Sequence, residues 1–351
     1  MKVLFPINLD RCKFPVATSL RELTLRNPNI DFYSFSSPTS DEDRVLGEFL
    51  WSQPHIHQIQ VADLIWQRFD IVHHASATPR NLIAASLAKA RSFGKCIHIF
   101  TAPIQPHDDD GFYQQYVTSV RRADVLGAVS HAVAKDIQEQ FGRTVDAVIP
   151  SGVDLNFFSP AAAEAVDLEK LGIRQPYVLF VGVLTARKRP DVFMQIAALM
   201  PDLDFVMVGG SYTPQESAIY QETASKYANV KLLGGRARSE VRNLMGSALA
   251  LVFPSELEGL PLTILEASAM GLPVLAQPKS SMPEAVIEDV TGWLLPADQP
   301  SRWVEQLKNI ASWSDEQKSC FAGKARTFVA KNYSWDLIAR QYAELYQKLV
   351  N

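Results

Sequence analysis

The segment EGLPLTILEASAMGLPVLA, Glu258 to Ala276, sets two carboxylates, Glu258 and Glu266, eight positions apart with seven mostly apolar residues between them. The strand-like run LALVF leads into it and ends at Pro254, Ser255 opens a loop, and Pro261 suits the first turn of a helix because its missing N–H would be unpaired anyway. Gly259 permits close backbone approach just before that helix. The reading is strand, loop and helix N-terminus, with free N–H groups and the positive end of the helix dipole directed at an anion. That is a site for phosphate. Glu258 is expected in the mouth of the loop and Glu266 about one and a half turns into the helix. Acids beside an anion site make sense when the ligand also carries hydroxyls, because a carboxylate only accepts hydrogen bonds and its two oxygens can hold a vicinal diol. A nucleotide sugar carries such groups at both ends of its diphosphate, so two acids can serve two polyols.

Outward from this segment, short apolar runs alternate with helical patterns: KVLFPI, FDIVHH, CIHIF, DVLGAVS and DAVIPSG, then YVLFVG, FVMVGG, VKLLGG, LALVFPS and LPVLA. Continuous apolar runs suit strands buried on both faces, and their alternation with helices predicts parallel α/β sheets. There are enough for two. A chain of 351 residues also favours two domains. The break is expected in FFSPAAAEAVD, Phe157 to Asp167, giving a first domain of residues 1–160, a second of 161–332 and a closing helix over 333–351.

Composition narrows the function. Lys+Arg 34 against Asp+Glu 38 gives a net charge of −4, which offers no electrostatic case for a nucleic-acid partner. Cys12, Cys96 and Cys320 are widely spaced and odd in number, unlike a disulfide framework or a metal site, so a reducing, cytoplasmic setting is expected. The opening MKVLFPINLD reads as a first strand rather than a signal segment, and no run approaches the ~20 apolar residues of a spanning helix. Peripheral contact with a membrane stays open. The triplet Asp108, Asp109 and Asp110 reads as a solvated loop after a strand.

The Glu258–Ala276 segment, with PSELEGLP leading in and EASAMGLPV running out, resembles the E-x7-E motif of retaining glycosyltransferases with two Rossmann-like domains facing across a cleft, the GT-B architecture, and in particular glycosyltransferase family 4. Other stretches match in order. VIPSGVDLNFF (148–158) resembles the end of the first domain, with Ser151 where Asn is more usual, and FVGVLTARKRPD (180–191) the strand and loop that bring cations to the donor phosphates. MVGG (207–210) and VKLLGGRA (230–237) resemble the segments around base and phosphates, and YSWDLIARQYAELYQKL (333–349) the helix that crosses back onto the first domain. The likeness runs from about Asp124 to the last residue and thins before it.

The resemblance implies a metal-independent, retaining transfer from a nucleotide-diphosphate sugar, UDP-linked or GDP-mannose, to a hydroxyl on a glycan, lipid-linked or small-molecule acceptor. It implies no cofactor beyond that co-substrate. Glu258 is to face the donor sugar and Glu266 the ribose, with Gly259, Leu260, Leu262, Gly182, Gly210 and Gly235 holding the rest of the donor. Arg187 and Lys188 are the cations for the diphosphate, whose charge grows as the glycosidic bond breaks. Adjacent residues often point apart, which leaves open whether these two share a target.

Departures gather in the first half. The glycine pair expected after the first strand is replaced by INLDRCKFP (7–15), a further arginine by Val183, and a histidine near the sugar by Thr101 or Ala102. Candidate acceptor or sugar contacts there are Asn8, Thr101, His107 and Ser130, although Ser130 also reads as a helix N-cap. His73, His74 and His98 read first as structural strand histidines, and Trp335, Tyr342 and Tyr346 as core or docking residues at helical spacing. Three other functions stay open: an inactive partner subunit of the same fold, a nucleotide-sugar epimerase, and a glycosidase using the two glutamates.

Overall fold

In a computed structural model the chain is described at all residues except 12–14 and 105–112, so Cys12, His107 and the aspartates 108–110 lie outside the described residues. It divides into two compact units, Met1–Gly152 with Trp335–Asn351, and Val153–Ser334.

The first unit carries β1 (Lys2–Asn8), β2 (Asp31–Phe35), β3 (Ile56–Gln58), β4 (Ile71–His74), β5 (Ile97–Ala102), β6 (Val125–Ala128) and β7 (Ala147–Val148). They form one sheet in the order β3-β2-β1-β4-β5-β6-β7, parallel throughout. Side chains of period two send Val3 and Phe5 to one face and Leu4 to the other, and both faces are covered, as the continuous apolar runs require. On the Val3 face lies the helix Trp335–Val350. Its buried residues Trp335, Ile338, Ala339, Tyr342 and Tyr346 recur at helical spacing and join the core of the first sheet. A Cβ on Gly152 would stand 2.7 Å from Cδ2 of Trp335, so the glycine is what lets the indole lie against the backbone.

The second unit carries β8 (Tyr177–Val181), β9 (Asp204–Val208), β10 (Val230–Gly234), β11 (Ala250–Phe253), β12 (Val274–Ala276) and β13 (Gly292–Leu294), again all parallel, in the order β10-β9-β8-β11-β12-β13. Tyr177 and Leu179 point into one core and Val178 and Phe180 into the other. Fully buried rings such as Phe180, Phe193 and Phe205 contribute roughly 2–3 kcal/mol each to these layers. Residues 153–160 side with this unit rather than the first. Val153 and Phe158 are buried in its core, and Val153 N–H donates to Tyr333 O at 2.7 Å. Tyr333, read from sequence as the start of the closing helix, packs here too, its hydroxyl donating to Glu284 O at 2.7 Å.

Each sheet reverses its strand order once, between β1 and β4 and between β8 and β11. At such a point neighbouring strands send their following loops to opposite sides, which opens a crevice at the carboxyl ends of the strands. No helix among the described residues is long and apolar enough to cross a membrane.

Candidate functional site

The loops after β8 and β11 flank the reversal in the second sheet, and they carry the expected cations and acids. After β8 the chain passes Gly182 and makes a short 3-10 turn, Ala186–Lys188. After β11 it runs through Ser255 to Glu258 and into the helix Leu262–Ala269. The two loops are stitched by main chain, Glu256 N–H donating to Arg187 O at 2.9 Å. Pro261 sits one residue before the helix as its N-cap, φ −78° and ψ 89°, instead of in its first turn. The following amides, from Leu262, still lack intrahelical acceptors, as at any helix start.

Glu258 is the hub. Its Oε1 lies 2.5 Å from Lys188 Nζ and 3.4 Å from an Arg187 nitrogen, and accepts from Ser255 Oγ at 2.6 Å. None of these bonds falls on Oε2. Its backbone is held as firmly, by Ser280 Oγ at 2.7 Å and Ser281 Oγ at 2.9 Å, both donating to Glu258 O. The tight turn therefore aims Arg187 and Lys188 at one carboxylate, which answers whether adjacent residues share a target. Arg187 also donates to Leu257 O. Lys188 Nζ stands 4.7 Å over the Phe253 ring. Burial pulls the Lys188 ammonium below its ordinary pKa, against the opposing pull of Glu258.

Glu266, on the helix, is part-buried and accepts from Arg238 Nη2 at 3.0 Å through Oε1. Burial pushes its carboxyl above the ordinary range, with Arg238 opposing. Arg238 is a site residue that sequence reasoning misses. It opens the helix Arg238–Ser247, one residue past the VKLLGGRA match, and its guanidinium lies 5.2 and 5.0 Å from the rings of Phe157 and Phe158. The three serines 255, 280 and 281 are missed as well; the S-x-x-E spacing of Ser255 and Glu258 is the one available signal.

The glycines divide by role. A Cβ on Gly209, at φ +148°, would fall 1.8 Å from Gly182 O, so this residue has to be glycine for strand ends β8 and β9 to meet. Gly210 and Gly235 have no heavy atom within 4 Å of where a Cβ would stand, among the described residues, and face open space. Beside Gly182 a Cβ would lie 3.6 Å from Lys188 Cε, so the stem of the lysine passes close to that strand end.

In the first unit the candidates separate. Asn8 ends β1 beside an open cavity. Thr101 is 3% exposed, and its Oγ1 bonds His73 Nε2 at 2.9 Å inside the core beneath Tyr342 and Tyr346, so it faces packing rather than a ligand. His73 Nδ1 in turn meets the Tyr346 hydroxyl at 2.6 Å. Ser130 caps the helix His131–Phe141, accepting from Val133 N–H at 3.2 Å, and is itself 1% exposed. His74 and His98 meet Nε2 to Nε2 at 2.8 Å. Burial, reinforced by the neighbouring histidines, lowers His73 and His74 to about 3; burial also lowers His98, to about 4. All three are neutral structural residues.

Comparison with known proteins agrees with the fold. The family model described as glycosyl transferases group 1 matches residues 166–345. A D-inositol 3-phosphate glycosyltransferase of Corynebacterium urealyticum is 30% identical over 249 residues, covering 66% of this chain and 58% of that protein. The protein of the same name from Corynebacterium glutamicum is 27% identical over 247 residues, covering 66% and 59%. The chain thus spans a little over half the length of these curated relatives. Among solved structures, HepE of Anabaena in complex with UDP and glucose superposes with a TM-score of 0.76 at 18% identity, over 99% of each chain. A glycosyltransferase from Rickettsia africae gives 0.78 at 18%, over 100% and 98%. At such identities the likeness is one of fold, two Rossmann-like α/β domains of the GT-B kind.

Proposed function

We propose, from the premise that this chain belongs to the glycosyl transferases group 1 family, that it moves a sugar from a nucleotide-diphosphate sugar to an acceptor hydroxyl with retention at the anomeric carbon. The observation that carries the proposal is the convergence of Lys188 and Arg187 on Glu258 at the strand reversal of the second sheet. A diphosphate leaving group gains negative charge as its bond to the sugar breaks, and cations fixed beforehand stabilise that transition state more than the bound donor. Lys188 and Arg187 supply that charge, where other transferases use a metal ion.

In this reading Glu266 accepts the ribose hydroxyls and exchanges its bond to Arg238 for them. The amides of Gly259, Leu260 and Leu262 hold the diphosphate and sugar, and Gly182, Gly210 and Gly235 leave room for the donor. Glu258 keeps Oε1 on Lys188 and offers Oε2 to a donor hydroxyl. The proton of the attacking hydroxyl passes to a phosphate oxygen of the departing diphosphate, so no protein base is needed. A UDP-sugar is the first donor to try, since HepE is seen with UDP and glucose; GDP-mannose is the second. The acceptor is a glycan, a lipid-linked intermediate at a membrane face, or a small molecule.

The test is calorimetric titration of the metal-free protein with UDP, GDP and ADP, repeated on Glu266→Ala. Binding of one nucleotide, weakened by roughly 1–3 kcal/mol in the variant, supports the assignment. Binding of none would shift the reading to a partner subunit without turnover.

A further inference from the structure

Most of the large apolar side chains left exposed among the described residues belong to one stretch, Val45 to Phe93. Scattered exposed apolar groups are ordinary, whereas clusters mark a surface that something covers. These form two clusters, one on each face of the first sheet, and β3 is an edge strand of that sheet.

The first cluster is carried by the helix Asp41–Trp51, which leads into β3. Its Leu46 and Leu50 pack in the core on the Val3 face, so Val45 and Phe49, one turn apart, point the other way, 68% and 52% exposed. Asp41, Glu42 and Glu48 share this outer side, and neither Glu42 nor Glu48 forms an ion pair with a described cation. The one cation of the helix, Arg44, pairs with Asp41. This side is acidic.

The second cluster lies on the Leu4 face. The 3-10 helix Val61–Ile65 follows β3, and its Leu64 is buried in one core with Ala84, Ala85 and Ala88 of the helix Pro79–Arg91. Outside this layer stand Val61, Ile65, Trp66, Ile83, Leu87 and Phe93, with Trp66 77% and Phe93 79% exposed. Phe93 has a φ of +52°, a strained conformation for a bulky residue, and Arg68 lies 5.6 Å from its ring centroid. Residues 71–106 hold Arg80, Lys89, Arg91 and Lys95 and no Asp or Glu. Lys89 pairs with Asp124, while Arg68, Arg91 and Lys95 form no ion pair with a described carboxylate. The acids nearby, Asp63 and Asp70, accept backbone N–H groups, from Gln60 at 2.7 Å and Lys2 at 2.8 Å. This side is basic.

We infer that the two clusters are halves of one interface between copies of this chain, joined at the β3 edge. A two-fold axis along that edge turns the basic cluster of a second copy to the side on which the first carries its acidic one. Each unlike pair then forms twice, and the assembly closes as a dimer. Opposite charges around the apolar centres set the register and disfavour like pairing. An anionic lipid surface would cover the basic cluster and leave Val45 and Phe49 in water, whereas a second copy covers both. The inference stands whether or not the chain transfers sugar.

The experiment is sedimentation equilibrium of the intact protein from low to high micromolar concentration, with circular dichroism spectra of each variant and flotation with phosphatidylglycerol vesicles. The parent should be a dimer. Glu48→Lys and Arg68→Glu should each weaken it at least tenfold with parental spectra, because each sets like charges against each other across the interface. The two together should recover most of the loss, since each cluster then carries the opposite sign, a rescue that misfolding would not produce. Trp66→Ser should also weaken the dimer at least tenfold. A monomer at every concentration, single variants with the parental dissociation constant, or a double variant as weak as the singles would overturn the inference. A monomer that floats with the vesicles and stops doing so in Trp66→Ser would overturn it too, and would assign the basic cluster to a lipid surface.

Discussion

Lys188 Nζ lies 2.5 Å from Oε1 of Glu258, so the cation proposed for the donor phosphate is held by the acid proposed for the donor sugar. Both side chains are mostly buried, at 13% and 10% exposure, and each offsets the cost of burying the other. The pair positions charge before any ligand arrives. A cation fixed in this way needs no reorganisation as the diphosphate departs.

Lys188→Ala should therefore fail in two measurable ways. Turnover should drop by about 10²–10³, the usual cost of removing one group that stabilises a developing charge. The midpoint of thermal unfolding should fall as well, by the equivalent of about 1–3 kcal/mol, because Glu258 keeps only Arg187 and Ser255. Glu258→Gln should lose turnover with a smaller drop in melting temperature, since an amide oxygen still accepts from Lys188 and Ser255. Parental turnover in Lys188→Ala would remove the lysine from the mechanism.

Glu266 gives a prediction with a definite sign in pH. Burial raises its folded pKa, so between the unfolded and folded values the folded protein binds more protons and loses stability as pH rises. Glu266→Gln should accordingly melt higher than the parent at pH 8. The gap should close as pH falls through the ordinary carboxylate range, where the parent carboxyl is protonated too. The same variant should bind nucleotide more weakly than the parent. Equal melting curves at pH 8 would show that Arg238 cancels the burial cost.

Much of this site is legible in the amino-acid order alone. Glu258, Glu266, Arg187 and Lys188 stand in one strand-loop-helix reading because helix starts, loops and apolar runs are local signals. Partnerships across distance are not. Arg238 reaches Glu266 only because the helices that follow β10 and β11, separated by two strands in the sheet, pack into one core, and nothing in GGRARSE states that. Three strands are hidden for local reasons. DFYSF masks β2 behind Asp31 and a Ser34 that is buried while bonding the backbone, and IHQ and GWL are too short to show a period. For Thr101 the position along β5 is readable, but the face it takes, under Tyr342, is set by the distant last helix.

The histidines predict acid lability in the first unit. His73 and His74 are lowered to about 3 and His98 to about 4, well under the ordinary 6.5. Below pH 6.5 the unfolded chain takes up protons that the folded chain refuses, so stability falls as pH drops from there toward 4. Each histidine adds a slope of roughly 1.4 kcal/mol per pH unit once the unfolded form is protonated. Urea midpoints measured from pH 7 to 5 should fall steeply, and His98→Gln should flatten the slope by about one proton. An unchanged slope in that variant would show that His98 titrates normally.

The glycines at the end of β9 separate fold from function. Gly209→Ala would drive a Cβ to 1.8 Å from Gly182 O at a φ of +148°, so backbone must move and the second unit should be strongly destabilised. Gly210→Ala meets no described atom within 4 Å and should melt within about 0.5 kcal/mol of the parent, the ordinary range of a harmless surface change. If the donor lies against this strand end, Gly210→Ala should nonetheless weaken nucleotide binding, because the added methyl occupies space proposed for the ligand. Circular dichroism melts paired with nucleotide titrations read both effects in one preparation. A Gly210→Ala variant that melts normally and binds UDP or GDP like the parent would place the donor away from β9, and the assignment of Gly210 would have to be withdrawn.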